Sequence, residues 1–214
     1  RYYLSAGGEV VDLDVPQFQD GQQLRRLKVQ EATASIGAAR QLSTWGLLAG
    51  SFSYGVGRQD VRVGPELGED ADYTIARAQA QFSYDTVDNV DFPTDGETFD
   101  LTNVWSLSDL GADNDAIALS GVTSTTNSWG RTTLRAQVSG GTTFDSDEVA
   151  RDGYSLGGLF GLSGYAEREL RGDTFGYGSL IAYRNFGEQG VLFDLPLYLG
   201  GSVETAAIWN RGEG

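Results

Sequence analysis

Carboxylates and one glycine-rich run hold most of the chemical capacity of this chain. Asp113-Asn114-Asp115 and Asp145-Ser146-Asp147-Glu148 gather oxygen ligands that could bind calcium weakly. Neither matches the twelve-residue loop in which alternating positions ligate a hard cation, so they read as solvated loops and no metal site is assigned. Within the glycine-rich run, Gly161-Leu162-Ser163-Gly164-Tyr165 comes nearest to the Gly-x-Ser-x-Gly elbow that presents a nucleophilic serine, and it fails at its last position. The run also lacks the spacing and the following helix of a dinucleotide fingerprint. Histidine and cysteine are both absent, which removes the usual general base, the commonest zinc ligand and every thiolate site. The chain is therefore not expected to be an enzyme, and no cofactor is expected.

Few elements are available to position these residues. The chain has 214 residues, 40% hydrophobic and 21% charged, enough for one sizeable unit and too apolar for disorder. Thirty glycines against 4 prolines suit strands joined by many tight turns. A net charge of -15, with Lys28 the only lysine, argues against a nucleic-acid partner, because phosphate neutralisation needs clustered cations. No window approaches the roughly 20 apolar residues of a spanning helix. Methionine is absent, so a complete translated reading frame is not expected.

Period-two alternation is the strongest local signal. Across 76–85, Ala76, Ala78, Ala80, Phe82 and Tyr84 oppose Arg77, Gln79, Gln81, Ser83 and Asp85. Residues 131–140 set Leu134, Ala136 and Val138 against Arg135 and Gln137, and residues 197–210 set Leu197, Leu199, Val203, Ala207 and Trp209 against Tyr198, Ser202 and Glu204. Weaker strands are read at 1–13, 24–39, 44–58, 97–107, 115–124 and 174–186, the last with a phase slip around Leu180–Ala182 that leaves its dry face open. Connectors alternate between short (40–43, 125–128) and longer, acidic ones (60–72, 142–154), and Trp45, Trp129 and Trp209 fall near strand ends. Short turns on one rim, long loops on the other and aromatic strand ends predict an all-β, antiparallel transmembrane β-barrel. Ala76, Ala78, Ala80, Phe82, Leu134, Ala136 and Val138 would face lipid; Arg77, Gln79 and Arg135 would face the lumen.

Two motifs extend this reading. Asp85-x-x-Asp88 followed by Phe92-Pro93-Thr94-Asp95-Gly96 is a turn on physical grounds, since Pro93 removes a donor, Asp95-Gly96 permits positive φ and the aspartates can cap free amides. Its order resembles the periplasmic turn signature of the BamA/TamA-like superfamily of outer-membrane barrels. The run Gly157, Gly158, Leu162, Ser163, Gly164, Tyr165 resembles that superfamily's long loop, which folds back into the lumen with a V/I-R-G-F/Y tip. Ser163 stands where the family arginine would be, a departure similar to barrels attached to patatin-like phospholipases. The stretch 197–209 resembles the strand that receives the tip, with Glu204 at the acid's position five residues before Trp209.

The resemblance covers roughly residues 73–209. It implies about nine strands of a sixteen-stranded barrel, with a long lumenal loop at 142–173 whose tip, 162–165, approaches Glu204. All of 1–214 would be part of one barrel domain, with N-terminal and C-terminal strands missing. Arg168 or Arg171 could replace the absent arginine as Glu204's partner, or Glu204 could bond Ser163 or water. The implied function is a translocator in the bacterial outer membrane that anchors or secretes a passenger, by resemblance a patatin-like lipase. An assembly factor for other barrel proteins and a diffusion channel are the alternatives. Implied partners are outer-membrane lipid, the remaining strands of the barrel, and a passenger domain or client protein.

Overall fold

A computed structural model describes residues 1–19, 22–63, 71–144, 153–158, 161–188 and 196–211. In it eleven strands run β1 (Tyr2–Gln19), β2 (Gln22–Leu42), β3 (Gly46–Val63), β4 (Ala71–Asp85), β5 (Gly96–Ser106), β6 (Ala116–Trp129), β7 (Thr132–Phe144), β8 (Tyr154–Leu156), β9 (Leu170–Gly172), β10 (Thr174–Glu188) and β11 (Pro196–Trp209). Nine form one antiparallel sheet, each paired to its neighbour in the order β1-β2-β3-β4-β5-β6-β7-β10-β11, while β8 and β9 pair with each other in the connection from β7 to β10. One meandering sheet is what alternating strands and short turns produce.

Register fixes the two faces. Residues directly opposite in an antiparallel pair point the same way, so one assignment propagates across the sheet. Arg77 pairs with Ser53 and Ser106, and Arg135 with Thr126 and Ile181; these lie on the face against which the β8–β9 connection packs, the lumenal face. Ala78, Ala80, Phe82, Leu134, Ala136 and Val138 lie on the opposite face. In β10 the undecided phase resolves: Ile181 faces inward beside Arg135, and Leu180 and Ala182 outward beside Ala136 and Leu134. Ala76 also points outward, yet it is 0% exposed and does not reach lipid. The β5–β6 connector folds down over this part of β4, with the Thr74 amide donating to Asp113 at 3.2 Å and Gly111 lying against the Tyr54 ring.

Several strands run longer than the alternation predicts. The turn expected at 125–128 and all but the last residue of that expected at 40–43 lie in strands, and the actual turns are at 43–45 and 130–131, where Ser43 and Gly130 both adopt φ 64. Arg40 is a rim residue of β2, with its guanidinium 5.5 Å from the centre of the Tyr2 ring.

At the opposite end, β1–β3 continue past the expected limits because the two faces exchange character. Outward residues change from Val10, Ala32 and Val56 to Asp12, Gln30 and Arg58; inward residues change from Glu9, Thr33 and Gly55 to Val11, Val29 and Val61. The outward charges interlock, Lys28 with Asp12 at 3.2 Å, Arg58 with Asp60 at 2.9 Å and Arg62 with Asp14 at 2.5 Å. Solvent screens exposed pairs of this kind, so they locate the end of the lipid belt and do little for stability. From Ala32 to Arg40 the outward face of β2 spans about 27 Å along the strand, or about 20 Å once tilted, close to the apolar band of an outer membrane.

Candidate functional site

The β7–β10 connection is built to stay inside the sheet. Its stem, the β8–β9 hairpin, lays the Tyr154 ring on Phe175 (centroids 4.8 Å apart) while the Tyr154 hydroxyl donates to the Leu119 carbonyl of β6 at 3.1 Å. Gly141 makes room, since a Cβ there would lie 2.7 Å from one ring and 2.8 Å from the other. At the base, the Asp173 carbonyl accepts from Thr143 N–H at 2.8 Å, and its carboxylate accepts from Arg211 N–H at 2.7 Å.

Beyond the stem the chain makes a compact tip. Gly157 N–H donates to Gly161 O at 2.8 Å and Gly158 N–H to Tyr165 O at 3.0 Å; both glycines have positive φ, 123° and 89°. The Glu169 carboxylate accepts the Ala166 amide at 2.6 Å. Leu162 takes φ 102, which L-residues seldom adopt, and so turns the next amide outward. That amide belongs to Ser163, and both it and the Ser163 hydroxyl donate to Oε2 of Glu204, at 2.8 and 3.0 Å. Glu204 stands on the inward face of β11, opposite Ser179 of β10.

The residues read from sequence thus fall in different places. Ser163 and Glu204 come together. Arg168 and Arg171, candidates to replace the missing arginine, make no ion pair with Glu204 among the described residues. They lie by the stem, where burial and the neighbouring Arg168 both lower the pKa of Arg171. Gly164 meets open space, whereas the close approach falls at Gly157, inside the loop, where a Cβ would lie 2.1 Å from the Ala166 carbonyl. Tyr165 is 45% exposed, and among the described residues its hydroxyl has no partner. Beside the tip, a cavity of about 470 Å³ is lined by Arg135, Gln137, Tyr177, Ser179, Ser202 and Glu204.

The second motif forms a wide turn at the other rim. Asp88 organises it: Oδ1 accepts the amides of Thr94 (2.8 Å) and Asp95 (3.2 Å), and Oδ2 accepts the Thr94 hydroxyl. These bonds favour the charged form and hold the Asp88 pKa below the usual aspartate value. Asp85 caps Val87 N–H at 2.9 Å, and Gly96, at φ 118, lies so near Thr86 that a Cβ would come within 2.6 Å of its carbonyl. The turn sweeps past the β6–β7 hairpin, where the Ser128 hydroxyl donates to Thr94 O at 2.6 Å. It ends on β10 and β11: Phe92 stacks on Tyr198 at 4.0 Å and 3°, and the carbonyl of buried Pro93 accepts from the Tyr183 hydroxyl.

Sequence reasoning missed Tyr183 and Tyr198 as partners of this turn. Their only signal was an aromatic residue on a wet face, which for Tyr183 was hidden by the ambiguous phase of β10. The two clusters considered for calcium differ in outcome. Asp115 is spent capping Ser108, whose amide and hydroxyl both lie 2.7 Å away, and its pKa is lowered by those bonds. Residues 145–148 lie outside the described residues.

The comparisons with known proteins agree with this architecture. The Omp85 superfamily domain matches residues 2–189. The chain belongs to the Omp85 superfamily. Among solved structures it is similar to BamA from Haemophilus ducreyi lacking POTRA domains 1-3, with a TM-score of 0.77 at 13% identity over 97% of this chain and 47% of that one. At that identity the likeness concerns the fold, and the chain spans about half the length of the solved relative. No curated protein matches. This Omp85 superfamily segment lies in the bacterial outer membrane, with lipid outside its sheet.

Proposed function

We propose that this chain forms the membrane wall and the plug of a translocator that carries a passenger polypeptide to the cell surface, and that it performs no catalytic step itself. The observation that carries the proposal is the paired hydrogen bond from Ser163 to Glu204. A charge-assisted bond of this kind contributes about 1.5–3 kcal/mol. That is enough to favour a closed lumen and small enough to be overcome when a passenger engages. Ser163 in place of the family's arginine supports a patatin-like lipase as the passenger.

Likeness of fold to BamA favours a second reading, in which the barrel inserts other outer-membrane proteins. The two separate in one experiment on the whole protein. Deleting 157–169 should abolish surface exposure of the protein's own passenger, read by protease accessibility on intact cells, while other barrel proteins keep their normal levels. A general fall in barrel proteins would select the assembly reading. Large stable currents from the undeleted protein in planar bilayers would select a diffusion channel over both.

A further inference from the structure

The exchange of faces in β1–β3 leaves an apolar wall where a membrane barrel has no need of one. Above the lipid belt water bathes the outside, and the outward charges match it. The inner wall is Val11, Leu13, Val15, Leu27 and Val29, joined across β3 by Val61. Leu27 is 2% exposed. Opposite this wall lies the loop stem, and between them is a cavity of about 330 Å³. Its far side carries Tyr154 and Ser155 with the cations Arg77, Arg168 and Arg171; Glu31, at the near edge, accepts the Tyr73 hydroxyl at 2.7 Å.

We propose that this cavity binds an amphiphile consisting of one medium-length hydrocarbon chain with an anionic head, the chain against the valine and leucine wall and the head on Arg168 and Arg171. Three features carry the assignment. The wall is apolar on the face that elsewhere in these strands is polar, so its chemistry is a local departure from the rule that governs the barrel. The volume equals on the order of ten water-sized groups at ~30 Å³ each, which one such chain fills. Finally, Arg168 and Arg171 both line this cavity, close enough together for the charge of the first to bear on the second.

The test uses the whole protein in nanodiscs of zwitterionic lipid, titrated by calorimetry with hexyl, octyl and decyl phosphate and with the matching alcohols. Alkyl phosphates should bind saturably, one per barrel, with affinity rising about four-fold per methylene, and at least about ten-fold more tightly than the alcohols. Arg168→Gln with Arg171→Gln should cost at least about ten-fold and remove the preference for phosphate. Val29→Ser should flatten the chain-length dependence and keep that preference. Heat-dependent gel mobility shows whether each variant forms a barrel, and Val29→Ser carries the test if the double variant does not fold. Non-saturable partitioning, equal affinity for phosphates and alcohols, or wild-type binding by the folded variants would overturn the proposal. Mass spectrometry of lipid extracted from the isolated protein then separates the sources. An acidic lipid retained by wild type and lost from the double variant makes the membrane the donor. Binding of added alkyl phosphate with no retained lipid makes it a free amphiphile.

Discussion

Ser163 approaches Glu204 with two donors, its amide and its hydroxyl, and both reach the same carboxylate oxygen, at 2.8 and 3.0 Å. The contact joins residues 41 apart in sequence, so it reports loop position directly. Replacing Ser163 with Arg should strengthen it, because a guanidinium adds an opposite charge and a bidentate geometry that the neutral serine donors lack. The expected outcome is slower release of the loop and reduced passenger export. Glu204→Ala should do the opposite, raising antibiotic entry through a loosened plug. The check is susceptibility to a bulky antibiotic alongside surface display of the passenger.

A second prediction concerns the loop's own fold. Ala at position 157 would place a Cβ 2.1 Å from the Ala166 carbonyl at φ 123. Gly157→Ala should therefore destabilise the tip by more than the ~1–2 kcal/mol of a left-handed residue alone. Gly164→Ala, which meets open space, should be neutral. Protease sensitivity of the loop in the purified barrel distinguishes the two.

The pH dependence of the wide turn follows from Asp88. Its pKa is lowered in the folded turn by the bonds from Thr94 and Asp95. The contribution is therefore complete above the unfolded value of about 3.9 and is lost as pH falls through the lower folded value. Hydrogen-exchange protection at the Thr94 and Asp95 amides should persist at pH 5 and disappear well below pH 4. In Asp88→Asn it should be weaker at neutral pH and lack this acid transition. Protection in wild type that shows no acid transition would remove Asp88 as the organiser.

Spin labels at Ala78 and Gln79 test the faces. Register places Ala78 outward beside Phe52 and Gln79 inward beside Ser51. A lipid-soluble quencher should reach the first and a water-soluble one the second. Equal access at both sites would contradict the barrel.

Sequence made the barrel visible wherever lipid lies on one side of a strand and water on the other, as at 76–85 and 131–140. It failed where that contrast ends. Val10 and Val11 mark the point in β1 at which the apolar face passes from outside to inside, so a reading that follows one face sees the strand stop. Arg40 and Thr125 looked like turn residues because polar side chains at a membrane rim are tolerated within strands. The Glu204 contact was legible through motif resemblance, while the choice of Ser163 over Arg168 or Arg171 needed coordinates. Phe92 on Tyr198 joins residues 106 apart across intervening strands, a relationship no local pattern encodes.

The central claim is that the loop is held in the lumen at Glu204 and must leave for transport. Ser163→Cys with Glu204→Cys, introduced into the whole protein, tests it most directly, since a disulfide needs Cα atoms within about 7 Å. The pair should cross-link under mild oxidation as readily as a control pair, Ala136→Cys with Leu180→Cys, on adjacent strands. Oxidation should then block surface exposure of the passenger until reductant is added, while the cross-linked control stays active. A pair that remains reduced while the control forms, or a cross-linked protein that exports at the wild-type rate, would contradict the account.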